Sequence, residues 1–233
     1  KNLTINGASN DAEGAFIADI DVSGGKLIFG NSATTQIGTT LGQTNTGVGG
    51  NGFDAATVEI GANLTTTDNA GAINFASAAT LKGTADENIT LTTNGANTSD
   101  ITFQSTLANT SNEDITFNSG ALGDVVVTGA LDFLVGDSGT GDVFVTSAFD
   151  VTFSSTVTAR DFDQAAGAGT TTFTGAFNLA RDFDWDGKNL TINGASNDAE
   201  GAFIADIDVS GGKLIFGNSA TTQIGTTLGQ TNT

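Results

Sequence analysis

Residues 159 to 185 read ARDFDQAAGAGTTTFTGAFNLARDFDW. Asp161-Phe162-Asp163 alternates polar with apolar, and so do Thr172-Phe173 and Asp182-Phe183-Asp184-Trp185. A period of two puts alternate side chains on opposite faces of a strand. Between these runs lies Gly167-Ala168-Gly169, a turn signal. Ala159-Arg160-Asp161-Phe162-Asp163 then returns 21 residues later as Ala180-Arg181-Asp182-Phe183-Asp184. Two short strands separated by turns and repeated within about twenty residues are what one coil of a β-solenoid needs. The chain folds back into the same environment once per coil and stacks on itself.

The pattern spreads outward from this stretch. Thr128-Gly129-Ala130-Leu131-Asp132-Phe133, Thr146-Ser147-Ala148-Phe149-Asp150-Val151 and Thr174-Gly175-Ala176-Phe177-Asn178-Leu179 echo one another at spacings of 18 and 28 residues. Apolar-x-apolar triplets run the length of the chain. They are Leu3–Ile5, Leu27–Phe29, Val58–Ile60, Ile73–Phe75, Ile89–Leu91, Ile101–Phe103, Ile115–Phe117, Val125–Val127, Val143–Val145, Val151–Phe153, Thr171–Phe173 and Leu190–Ile192. Turn clusters separate them, as at Asn94–Asn97 and Gly136–Gly139. No segment carries a sustained helical period, and no proline interrupts a ladder. The expected fold is all-β: a β-solenoid of parallel strands with seven to nine coils per unit, each of two or three strands. Tandem β-sandwiches are the alternative.

A longer repeat lies over the short one. Lys1–Thr46 and Lys188–Thr233 are identical at all 46 positions. Residues 1–187 therefore read as one complete unit and 188–233 as the start of the next, in a chain that is a window on a longer array. Gly47–Phe53, which follows the first copy, is the best candidate for a loop or hinge.

Composition narrows the function. Seven Lys and Arg face 26 Asp and Glu, for a net charge of −19. Phosphate backbones and anionic lipid are repelled by such a chain, so neither nucleic acid nor membrane insertion is expected. Histidine and cysteine are absent. That removes the usual general base, histidine-activated nucleophiles and thiolate metal sites. Carboxylates remain. Arg160, Arg181, Asp161, Asp163, Asp182 and Asp184 form either an acidic cluster of the kind found in pectin-active enzymes or an interleaved charge ladder. The expectation is no enzyme.

Asp182, Asp184 and Asp186, followed by Gly187, match the first half of a D-x-D-x-D-G calcium loop. Asp19-Ile20-Asp21-Val22-Ser23-Gly24 is a looser match. The expected bidentate Glu is absent, because Asn193 and Gly30 stand at those places. A strand with an aromatic inner face and an acidic outer face gives the same alternation. Calcium is thus the only cofactor the sequence suggests.

Runs such as Asp114-Ile115-Thr116-Phe117-Asn118-Ser119-Gly120-Ala121-Leu122, with Thr-rich strands, Gly/Asn/Asp turns and no cysteine, resemble large bacterial exported repeat proteins. The likeness is to filamentous-haemagglutinin-like and autotransporter-passenger adhesins. It implies a right-handed β-helix, export, and work at the cell surface or in the matrix. The expected role is a structural repeat of an extracellular fibre, filament or adhesin, with neighbouring repeats or other copies as end-to-end partners. The alternative is a module that binds surface polysaccharide or another cell. A carboxylate-based polysaccharide lyase or hydrolase ranks below it.

Overall fold

A computed structural model describes the chain from 53 to 198 apart from 67–71, 83–86, 94–98, 111 and 134–140. It also describes 3–5, 20–29, 35–37, 41–42, 205–207 and 212–216. The turn clusters at Asn94–Asn97 and Gly136–Gly139, and Gly47–Gly52 of the proposed loop, lie outside the described residues. So do the side chains of the looser calcium match at Asp19–Gly24.

Every described strand pairing is parallel, and the strands form three sheets of nine, eight and eight strands among the described residues. Here S1 is the nine-stranded sheet. S2 contains Phe162–Gln164 and S3 contains Thr170–Phe173. The chain visits them in fixed order. Val157–Ala159 lies in S1, Phe162–Gln164 in S2 and Thr170–Phe173 in S3. Phe177–Leu179 then returns to S1, directly on Val157–Ala159. Such a three-sided stack is a β-solenoid. Tandem sandwiches are excluded, because antiparallel hairpins would have to dominate them.

In-register partners are as close as Thr171 and Leu190, 19 residues apart, and as far as Ile20 and Phe53, 33 apart. Coil length varies because the corners vary while the strands do not. Most strands with described side chains present one or two inward apolar side chains, as the alternating burial of Ile73–Phe75, Ile101–Phe103 and Val151–Phe153 shows. These side chains merge into one continuous core running from Val58 to Ile192. Its later part is aromatic. Phe153 stacks on Phe173 with ring centroids 5.2 Å apart, and Phe162 stacks on Phe183 at 5.4 Å.

Two of the inward polar side chains, Gln164 and Thr171, satisfy each other. The Thr171 hydroxyl donates to Gln164 Oε1 at 2.8 Å, and Gln164 Nε2 donates to the Ala166 carbonyl at 3.3 Å. The low cost of burying them follows from this pairing.

All twelve triplets fall on strands. The two echoes fare differently. The one at 160 and 181 is true stacking, since Phe162 pairs with Phe183 and Asp163 with Asp184. In the other set, the segments at 128 and 174 occupy equivalent corners from S3 to S1. A methyl group at Gly175 or Gly194 would collide with backbone of the corner one coil below, so glycine fits where coils touch there. The segment at 146 does not belong with them. It forms the corner from S2 to S3, with Ser147 beside Asn118 and Phe149 42% exposed.

Candidate functional site: aspartate rows along the coil corners

Three successive S3 strands are preceded by an acidic residue: Asp100, Asp124 and Asp150 precede Ile101, Val125 and Val151. Each carboxylate accepts a backbone hydrogen bond from the equivalent residue of the next coil. The Asp124 N–H donates to Asp100 Oδ1 at 2.9 Å, Asp150 N–H to Asp124 Oδ1 at 3.0 Å, and Thr170 N–H to Asp150 Oδ1 at 2.6 Å. Asn189 continues the row by accepting from Lys213 N–H at 3.1 Å. A chain turning into a strand leaves an amide that the strand ladder does not reach, and the side chain below supplies its acceptor.

A second row precedes the S2 strands. Asp142 N–H donates to Asp114 Oδ1 at 2.8 Å, and Asp182 N–H donates to Asp161 Oδ1 at 3.0 Å. Here arginine interleaves. Arg160 Nε bonds Asp142 Oδ1 at 2.7 Å while its Nη2 takes Oδ2, and Nε lies 3.6 Å from Asp161 Oδ2. Arg181 repeats the grip on Asp161, with Nε 3.1 Å from Oδ1 and Nη2 on Oδ2. Order along the row is Asp142, Arg160, Asp161, Arg181: opposite charges alternate from coil to coil.

The two rows differ electrostatically. Burial pushes the Asp124 carboxyl above its ordinary value, the Asp150 amide pulls it down, and the charges of Asp100 and Asp150 push it up again; the net direction is up. Burial also pushes Asp161 up, but the Arg181 guanidinium and the Asp182 amide outweigh it and hold the carboxyl low. Bonding to Asp142 and Asp161 in turn raises the pKa values of Arg160 and Arg181. Asp163, in mid-strand on S2, is raised by burial and by Asp186.

Asp182, Asp184 and Asp186 do not converge. Phe183 and Trp185 point inward and are buried, so Asp184 faces outward from the strand and Asp182 and Asp186 flank it, exposed, at steps of roughly 6–7 Å. Among the described residues no group of three or more carboxylates is placed to hold a metal ion. The enzyme-like cluster is dispersed in the same way, with Asp161 held by Arg181 and Asp163 and Asp184 side by side in mid-strand. A shallow depression over the corners at Ser147–Ala148 and Ala166–Ala168 contains one carboxylate, Asp186.

The corner rows had a sequence signal that periodicity alone passes over. An Asp stands immediately before an apolar-x-apolar triplet at Asp100, Asp114, Asp124, Asp142 and Asp150. Comparison with protein-family models, curated proteins and solved structures gave no match to this chain.

Proposed function

We propose that the chain is one unit and the beginning of the next in a long β-solenoid array, serving as the shaft of an extracellular fibre, filament or cell-surface adhesin. One observation carries this reading. The duplicated block makes the same strand pair in both copies: Leu3, Thr4 and Ile5 on Leu27, Ile28 and Phe29, and Leu190, Thr191 and Ile192 on Leu214, Ile215 and Phe216. Both pairs lie within a copy; where the second copy meets the first unit it also stacks in register, Leu190 on Thr171 and Ala205 on Phe183, so one unit runs into the next without a new kind of interface. Stability then adds coil by coil.

The acidic composition fits the same role. Asp100, Asp114, Asp124, Asp150 and Asp161 in the corner rows cap amides of the neighbouring coil, a role in stacking. No enzymatic activity is proposed. Export and surface location rest on the resemblance to exported adhesins.

A face that grips polysaccharide would present aromatic rings outward on successive coils. Among the described residues the outward rings, Phe144 and Phe149, sit within a single coil. The shaft reading is therefore preferred to a saccharide groove.

Parallel solenoids expose strand edges at both ends, and such edges recruit further strands. The test is light scattering and negative-stain microscopy of the 233-residue chain across ionic strengths. End-to-end filaments one solenoid wide are expected, promoted by salt because the net charge of −19 opposes contact. A chain that stays monomeric at every ionic strength overturns end-to-end stacking.

A further inference from the structure

The duplicated block does not return to the sheet it left. Leu3–Ile5 lies in S1, whereas its copy, within Asn189–Ile192, lies in S3. The partner strand moves with it. Leu27 pairs with Leu3 on S1, and Leu214 pairs with Leu190 on S3. Neighbours beyond the block agree. On S1 the first copy continues from Ile28 to Glu59 and then to Thr80, and on S3 the second copy is stacked on Thr172 and Thr152.

Because the chain visits S1, S2 and S3 in that order, a step from S1 to S3 is a whole number of coils plus two thirds of one. We infer that consecutive units of the array are turned by two thirds of a turn about the solenoid axis. Any one face of the unit then recurs on the same flank only in every third unit.

Physical chemistry permits this, because a coil asks little of its neighbour: an in-register backbone and one or two inward apolar side chains per strand. S1 offers Val58, Ala79, Leu107 and Leu131 in one inward row, and S3 offers Ile73, Ile101, Val125 and Val151. Both rows are aliphatic, so a Leu-Thr-Ile strand packs equally well in either. With coils of unequal length, nothing forces a 187-residue unit to close on a whole coil.

The consequence concerns partners. Polysaccharide, or a second array lying along one flank, meets a given row of side chains from one unit in three. The acidic residues of successive units are also distributed over three flanks and do not accumulate on one, which lowers like-charge repulsion along the shaft.

This inference rests on the proposed array, but its test needs no assembly. The chain has no cysteine, so pairs can be introduced cleanly and treated with a bismaleimide shorter than one flank. In-register neighbours on adjacent coils lie about 4.8 Å apart. Ile28→Cys with Glu59→Cys should cross-link within the chain, and Thr172→Cys with Thr191→Cys should do so too. Asn178→Cys with Thr191→Cys should not, because Asn178 belongs to S1 and Thr191 to S3. Lys26→Cys with Thr57→Cys, also in register, serves if Ile28→Cys folds poorly. Intact-mass spectrometry reads each outcome. Loss of the first-copy cross-links, or efficient linkage of Asn178→Cys to Thr191→Cys, overturns the rotation. A monomeric chain with the expected cross-links would refute end-to-end stacking between chains and leave the rotation between the two copies standing.

Discussion

Arg160 and Asp142 join two successive coils through both arms of a guanidinium, with Nε 2.7 Å from Oδ1 and Nη2 on Oδ2. The Asp142 side chain is 8% exposed, so its charge is largely withdrawn from water. Arg181 makes the corresponding bond to Asp161 one coil later but is itself 55% exposed. The same contact thus occurs twice in different solvent.

Its two versions should differ in worth. Arg160→Ala strands a buried carboxylate and should cost about 1.5–3 kcal/mol in urea unfolding, the range for a hydrogen bond to a charged group. Arg181→Ala should cost about 0–1 kcal/mol, as exposed pairs do. Acid adds a second distinction. Asp161 is held below its ordinary value of 3.8, so its contribution is complete above that value and is lost as the pH falls through the folded-state pKa. The difference between Arg181→Ala and the parent chain should therefore close in strong acid. Equal costs for the two substitutions at neutral pH would contradict the burial argument.

The opposite sign is expected at Asp124. Its carboxyl is raised by burial and by its neighbours Asp100 and Asp150, so ionisation at neutral pH opposes folding. A raised acid favours the folded state as pH drops toward that pKa. Asp124→Asn retains an oxygen to accept the Asp150 amide while removing the charge. It should raise the melting temperature at pH 7, by about 0.2–1 kcal/mol of stability, and the gain should fade once the parent carboxyl is protonated. A lower melting temperature at pH 7 would mean that the amide bond needs the full charge.

How much of this was legible depends on strand length. Strands of S2 and S3 such as Asp114–Asn118 and Val151–Phe153 carry two inward apolar residues, and alternation finds them. Two S1 strands do not: Leu107–Ala108 and Leu131–Asp132 have one inward side chain each, and a single residue has no period. The echo at 146 misled because Ser147-Ala148 resembles Gly129-Ala130 in size while serving a different corner. Arg160 and Arg181 were readable as a ladder or a cluster, and only the stacking of Phe162 on Phe183 decides for the ladder. The amide capping by Asp100, Asp124 and Asp150 joins residues twenty or more positions apart, so it becomes visible only once coil length is known.

Phe173 is the hub of the aromatic part of the core. Its ring centroid lies 5.2 Å from that of Phe153, 5.3 Å from Phe162, 4.7 Å from Phe177 and 5.9 Å from Phe183. Truncation there removes contacts from three coils at once. Phe173→Ala should cost about 3–5 kcal/mol, and Phe173→Leu clearly less, because volume is largely kept. Amide hydrogen exchange should rise first in Phe162–Gln164 and Phe177–Leu179. Loss of protection spread evenly over the chain would instead indicate one all-or-none unit.

Trp185 offers a direct test of the calcium question. It is the single tryptophan, is fully buried, and stands between Asp184 and Asp186 in sequence. If the alternation only separates an aromatic inner face from an acidic outer one, its emission should be blue-shifted with or without calcium. Chelator should then leave the Trp185 melting curve unchanged, and Asp184→Ala, on the outer face, should move it by at most about 0.5 kcal/mol. Calcium ligation predicts otherwise. It needs six to eight oxygens at about 2.3–2.6 Å, so Asp182, Asp184 and Asp186 would have to be drawn together from alternate strand positions. That movement would disturb Trp185 itself. A melting temperature that rises with calcium, falls with chelator and loses both responses in Asp184→Ala would establish the metal site and refute the alternating strand as the whole account of these three residues.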